Sequence, residues 1–188
     1  MPRRPTGRPI YTQHTMSREE MGAKIAGAIS YLNANPADAR YTDSFATARL
    51  DDPAGLKVDV TGPDGAHITT DMPTSVGGTN TTASSGWYLR AAEAACVATL
   101  IAMRAAHQGV VLQNVEVTVD SESDDRGILG ADDSVPAGPL STRVAVSLHA
   151  VGVEDAVLRA IVDWAVEHCP VTDAVRRAIP MTVEVKTD

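Results

Sequence analysis

The sequence predicts an α+β fold, because its strand-like segments come in clusters that long helical segments separate. Two patterns carry this. Period-two alternation sets Val115, Val117 and Val119 against Glu116, Thr118 and Asp120, and Val144, Val146 and Leu148 repeat it. That marks antiparallel strands with one buried face. Recurrence at three and four residues marks the helices, the longest being WYLRAAEAACVATLIAMRAAHQG, about six turns with apolar residues on most sides. A helix of that composition belongs at the centre.

The elements follow in order. Residues 1–16, MPRRPTGRPIYTQHTM, hold three arginines and three prolines without a long apolar run, which predicts a flexible basic arm and neither a secretory nor a twin-arginine signal. Over residues 17–43 a helix and linker are expected. Ser17 with Glu20 forms a capping box, and Met21, Ile25, Ala28, Ile29 and Leu32 recur at helical spacing until Asn35 and Pro36. From Phe45 to Thr70 the pattern changes to a meander, with FATARL and LKVDV separated by Asp-Asp-Pro-Ala-Gly and a Gly-Pro-Asp-Gly turn before AHITT. The polar loop PTSVGGTNTTASSG leads into the central helix, which Gly109 ends. After the two valine-rich strands, VEDAVLRAIVDWAVEH is an amphipathic helix with Val157, Ile161, Trp164 and Ala165 on one side. A short helix near 172–178 and a last strand, MTVEVKT, complete the chain.

Bulk properties set limits. A chain of 188 residues fits one domain and needs no disulfide staple. The formal charge of −8 argues against nucleic acid or an anionic membrane as a general partner. The apolar run near 94–103 is about half the length of a membrane-spanning helix. The expectation is an intracellular, cytoplasmic protein, in which two cysteines far apart in sequence are not a permanent structural bridge and match no compact zinc motif.

Those two cysteines are the candidate chemistry. Cysteine reacts as the thiolate, so each site must be asked what favours the charged sulfur. Cys169 stands directly before Pro170, in EHCPVTDAV. With Pro170 as the first helical residue, Cys169 sits at an N-cap, where free N–H groups and the helix dipole stabilise an anion. It equally reads as a small buried apolar residue at a helix corner. Cys96 lies in mid-helix on a stripe with Leu89, Glu93, Leu100, Met103 and His107, where no dipole helps it. Glu93, one turn before it, calls for a partner if buried. Arg90 on the same helix and Arg49 on a meander strand are the candidates; an ordinary exposed Arg90–Glu93 pair is the plainer reading.

GGTN at 77–80, LRAAEAACVATLIA at 89–102 and CPVTDAV at 169–175, in this order, resemble the OsmC/Ohr family of thiol-dependent hydroperoxide reductases over about residues 44–188. The resemblance implies an OsmC-like domain with an antiparallel sheet packed on a long central helix, in an intertwined homodimer. It implies a peroxidase in which Cys96 attacks the O–O bond of an organic or other small hydroperoxide, becomes a sulfenic acid and is captured by Cys169 as a catalytic disulfide. A small dithiol or dihydrolipoyl-type partner would reduce that disulfide. No cofactor is implied.

Family members of the organic hydroperoxide type carry a glutamate in the loop beside GTN that holds an arginine at the reactive sulfur, whereas this loop offers Val76, Gly77 and Gly78. Glu93 is therefore expected to supply the carboxylate from the helix and to orient Arg49 or Arg90 near Cys96. The competing expectations are a non-catalytic OsmC-fold protein that binds a small ligand and a thiol-disulfide exchange protein. DSESDDRG lacks the glycine and glutamate of a calcium loop, SVGGTN lacks the lysine of a phosphate-binding loop, and no GxSxG elbow occurs.

Overall fold

The computed structural model describes residues 16–50, 52 and 54–187, so the basic arm expected at 1–16 lies, apart from Met16, outside the described residues. The first helix, α1, spans Arg18–Ala34. Ser17 Oγ accepts the N–H of Glu20 at 3.1 Å and the Glu20 carboxylate accepts the N–H of Ser17 at 2.8 Å, which completes the expected capping box. Its apolar stripe is only partly used. Met21, Gly22 and Ile25 are half-buried, while Ile29 and Leu32 are exposed.

The meander forms as expected: β1 (Thr47–Leu50), β2 (Val58–Thr61) and β3 (His67–Thr70) pair antiparallel in that order. Its second turn is a short helical turn, Pro63–Gly65, with Asp64 and Gly65 at positive φ. The central helix α2 runs Ser85–His107 and is capped by Ser84 Oγ on the N–H of Trp87. Beyond its end Gly109 takes φ 70°, the left-handed conformation that glycine adopts without steric cost. Strands β4 (Asn114–Glu122) and β5 (Ser141–His149) pair antiparallel along their full length in a second, separate sheet. Their valines half-bury on one face, as the alternation predicts.

Between these strands lies an element the sequence reading missed. The stretch DSESDDRG, which lacks the residues of a calcium loop, carries α3 (Asp125–Ile128) shortly after β4, with Asp124 as its cap and Arg126 paired to Asp124 and Asp132. Helices α4 (Asp155–Glu167) and α5 (Pro170–Arg176) close the fold.

The core is the line Val97, Ile101 and Ala105 of α2 against Ile161 and Ala165 of α4, with Cys169 in the same cluster. Val97, Ile101 and Ile161, fully buried here, are each worth about 1.5–3 kcal/mol of transfer free energy. The buried line of α2 is thus Glu93, Val97, Ile101 and Ala105, one step round from the expected stripe. Cys96, Leu100 and Met103 flank it, and Leu89 and His107 are exposed. The faces of α4 and β4 that α2 meets set this rotation.

The expected last strand does not form. Residues 181–187 carry no regular structure, and Met181, Val183 and Val185 are 84%, 71% and 78% exposed. A strand needs an edge to pair with, and the chain's own sheets leave this alternating segment unpaired.

Candidate functional site

The site is built where α4 gives way to α5. Pro170 fixes the first helical residue, and Cys169 takes the N-cap position with extended backbone, φ −75° and ψ 116°. Its Sγ accepts the N–H of Thr172 at 3.4 Å. The side chain is fully buried, so both sequence readings of Cys169 hold together: it caps a helix and it is part of the core. Across from it α2 presents Cys96, half-buried. Both are free thiols, and Cys96 packs against the buried cluster that contains Cys169.

Their electrostatics differ. Burial pushes the Cys96 thiol up, the hydrogen bond and charge of Cys169 push the same way, and the Val171 N–H opposes them and loses. Burial also pushes Cys169 up, yet Thr172, whose N–H reaches the sulfur, the Cys96 thiol and the Val171 N–H together hold it below the ordinary thiol value. Within one chain Cys169 is therefore the thiol better able to carry negative charge, as its N-cap position predicts.

Beneath the pair lies Glu93, 2% exposed. Its partner is Thr172, whose Oγ1 donates to Oε1 at 3.0 Å. One residue of α5 thus holds Cys169 through its amide and Glu93 through its hydroxyl. A cavity of about 640 Å³ opens beside them, with Val144, Val162, Val166 and Val175 on its other walls.

The arginines are placed differently from expectation. Arg90 turns toward β4, where its Nη1 donates to Ser121 Oγ at 3.2 Å, and it borders a separate cavity of about 420 Å³ between the 72–76 loop and α3. Arg49 is exposed on β1 opposite Asp59, in the other sheet. The ion pairs among the described residues do not include Glu93. Of the five residues singled out from sequence, Cys96, Cys169 and Glu93 come together at one junction, and Arg49 and Arg90 do not join them within the chain. Thr172 was missed. Its signal was its place at the third helical position after an N-cap, the residue whose N–H a cap binds.

The glycine-bearing loop is fixed by a carboxylate outside it. Asp71, 2% exposed, accepts the N–H of Met72 at 2.7 Å and of Thr79 at 3.2 Å on Oδ1. Its Oδ2 accepts the Thr79 hydroxyl at 2.6 Å and the N–H and hydroxyl of Thr81, both at 2.9 Å. The Thr79 hydroxyl, then the Thr81 N–H and the remaining donors, hold this carboxyl well below the usual carboxylate range against the opposing effect of burial. Gly78 is required by closeness, since a Cβ there would lie 1.8 Å from the Met72 carbonyl oxygen.

The comparisons agree with this architecture. The family model described as OsmC-like protein matches residues 78–184. An organic hydroperoxide resistance protein OsmC from Legionella pneumophila superposes with a TM-score of 0.53 at 23% identity, over 73% of this chain and 91% of that one. An OsmC-like protein from Mycoplasma pneumoniae gives 0.61 at 14% identity, over 73% and 89%. An OsmC-like protein of unknown function from Vibrio cholerae gives 0.54 at 12% identity, over 71% and 94%. No curated protein matches the chain. At these identities the solved structures establish the shared fold, and the family match spans more than half of the sequence and includes Cys96, Cys169, Glu93 and Thr172. The chain belongs to the OsmC-like protein family.

Proposed function

We propose that the protein is a cysteine-based peroxidase that reduces organic or other small hydroperoxides through Cys96 and Cys169. The observation that carries the reading is the placement of two free thiols in one packed cluster, where α2 meets the start of α5. In the first step the Cys96 thiolate attacks the distal peroxide oxygen, the O–O bond breaks, and the departing alkoxide takes a proton, which leaves a sulfenic acid and an alcohol. In the second step Cys169 attacks the Cys96 sulfur, a disulfide forms, and the sulfenic oxygen leaves as water. A small dithiol then exchanges with this disulfide and restores both thiols, itself ending as a disulfide.

The reading needs positive charge near Cys96, and among the described residues of one chain only the Val171 N–H, not a cation, acts to lower that thiol. A second copy supplies it in this proposal. The β1–β3 meander exposes Leu50 and Ile68, and residues 181–187 present an alternating apolar edge without a partner. Both features support a homodimer in which Arg49 of one copy approaches the thiol pair and Glu93 of the other. Thiol-disulfide exchange is the second reading, favoured by the lowered Cys169 thiol.

Consumption of cumene hydroperoxide and of hydrogen peroxide, with dithiothreitol as reductant, separates the two. The peroxidase reading expects rapid turnover that Cys96→Ser abolishes and Cys169→Ser reduces to a single turnover. Loss of a model protein disulfide without peroxide consumption would select exchange instead.

A further inference from the structure

Arg104 carries a charge that the fold does not use. Among the described residues it forms no ion pair, and its Nε is buried without a hydrogen-bond partner. Stacking fixes its place instead: the guanidinium carbon lies 4.9 Å from the centre of the Trp164 ring. That ring is held in turn. It stacks on His168 at 4.3 Å with 18° between the planes, and His168 Nδ1 donates to the Trp164 carbonyl oxygen at 2.8 Å. A guanidinium laid on an aromatic face keeps the N–H groups at its edge free, and that edge matches the two oxygens of a carboxylate.

The shelf lies on the same side of α2 as Cys96. Cys96, Leu100 and Arg104 recur every four residues along the helix, so they form a row about 12 Å long from the first Cα to the last. Cys96, Leu100 and Trp164 pack against the one core cluster that contains Cys169, and Cys169 directly follows His168. The row thus runs from a half-buried thiol, past a half-buried leucine, to an unpaired cation. Nearby carboxylates are engaged elsewhere: Glu93 is bonded to Thr172, and Asp163 and Glu167 of α4 border the cavity that Glu93 lines.

We propose that Arg104, seated on Trp164, binds the carboxylate of the molecule that reacts at Cys96. The substrate class is then a hydroperoxide that also bears a carboxylate, with an apolar chain between the two groups long enough to cross Leu100. Arg104 holds this substrate from two turns away and does not ionise the sulfur. The net charge of −8 repels anions in general, so a preference for an acid at Cys96 requires a local cation of this kind.

The hydroperoxide in this inference rests on the peroxidase reading above, and the first arm of the test keeps the two apart by using no peroxide. Reduced protein is labelled with maleimidohexanoic acid or with its methyl ester, and alkylation of Cys96 is followed by peptide mass spectrometry. The acid should label Cys96 about tenfold faster than the ester, with a rate that saturates. In Arg104→Met the ratio of the two rates should fall to about one, and Arg104→Lys, which keeps the charge and loses the fork, should lie between. The second arm compares kcat/KM for ω-hydroperoxyoctanoic acid and its methyl ester, where the same preference, carried by KM and lost in Arg104→Met, is expected.

Equal labelling by acid and ester in the wild type, or a preference that survives Arg104→Met, would overturn the proposal. A labelling preference in a protein that consumes neither hydroperoxide would overturn the peroxidase reading and leave the carboxylate site standing.

Discussion

Removing the hydroxyl of Thr172 should destabilise the reduced protein by an amount the geometry sets. In Thr172→Val the backbone N–H still caps Cys169, so the 3.4 Å bond to the sulfur survives and the packing volume is kept. What is lost is the 3.0 Å bond to Glu93, which leaves a carboxyl that is 2% exposed without that partner. An orphaned buried polar group costs about 1–3 kcal/mol. Replacing both partners by apolar groups is far cheaper than removing one, so Glu93→Leu with Thr172→Val should recover much of the loss, with a coupling of about 1–2 kcal/mol. Urea unfolding of wild type, both single variants and the double variant, at one protein concentration and with reductant present, measures this directly. A Thr172→Val protein within about 0.5 kcal/mol of wild type, or a double variant equal to the sum of the singles, would refute the buried Glu93–Thr172 contact.

Gly78→Ala should disrupt the loop before α2, because the new Cβ meets backbone rather than a movable side chain; the hydrogen bonds from Gly78 N to Pro73 O and from Asn80 N to Met72 O would yield at a cost of about 1–3 kcal/mol, seen as lower urea stability and faster proteolysis in the loop. The Asp71 clasp should show an acid dependence: a carboxyl lowered by folding stabilises fully above its unfolded value of about 3.9, and that stability is lost as pH falls from there toward its folded value. An Asp71→Asn protein should be less stable at neutral pH and should lack this acid-dependent part of the loss, as pH-dependent urea midpoints will show. Val183→Lys should weaken self-association, measured by sedimentation, because it places a charge on the alternating apolar edge of residues 181–187; unchanged association would remove that edge from the interface.

The sequence made most elements legible because their signals are local. The capping box of Ser17 and Glu20, the valine alternation of β4 and β5, the glycine after α2 and the proline opening α5 each require only a few neighbouring residues to act. Cys169 at a helix N-cap was readable for the same reason. Glu93 could be singled out as an anomaly on an apolar face, but its partner could not: Thr172 is separated from it by most of the domain, and a threonine in CPVT looks like any early helical residue. The rotation of the buried face of α2 was hidden because so much of that helix is apolar that several stripes fit equally well, and only the facing helix α4 chooses among them. The C-terminal segment shows the opposite failure. Its alternation is as clear as that of β4, yet a strand also requires a partner edge, and among the described residues none pairs with it.

The account stands or falls on peroxide joining Cys96 to Cys169. Intact and peptide mass spectrometry of the reduced protein after a single equivalent of cumene hydroperoxide tests this most directly. The predicted result is a loss of two hydrogen masses per chain, with one peptide pair linked through Cys96 and Cys169 and no linkage in either single-cysteine variant. Unchanged mass with both thiols free, or stable oxidation of Cys96 that Cys169 never captures, would contradict it.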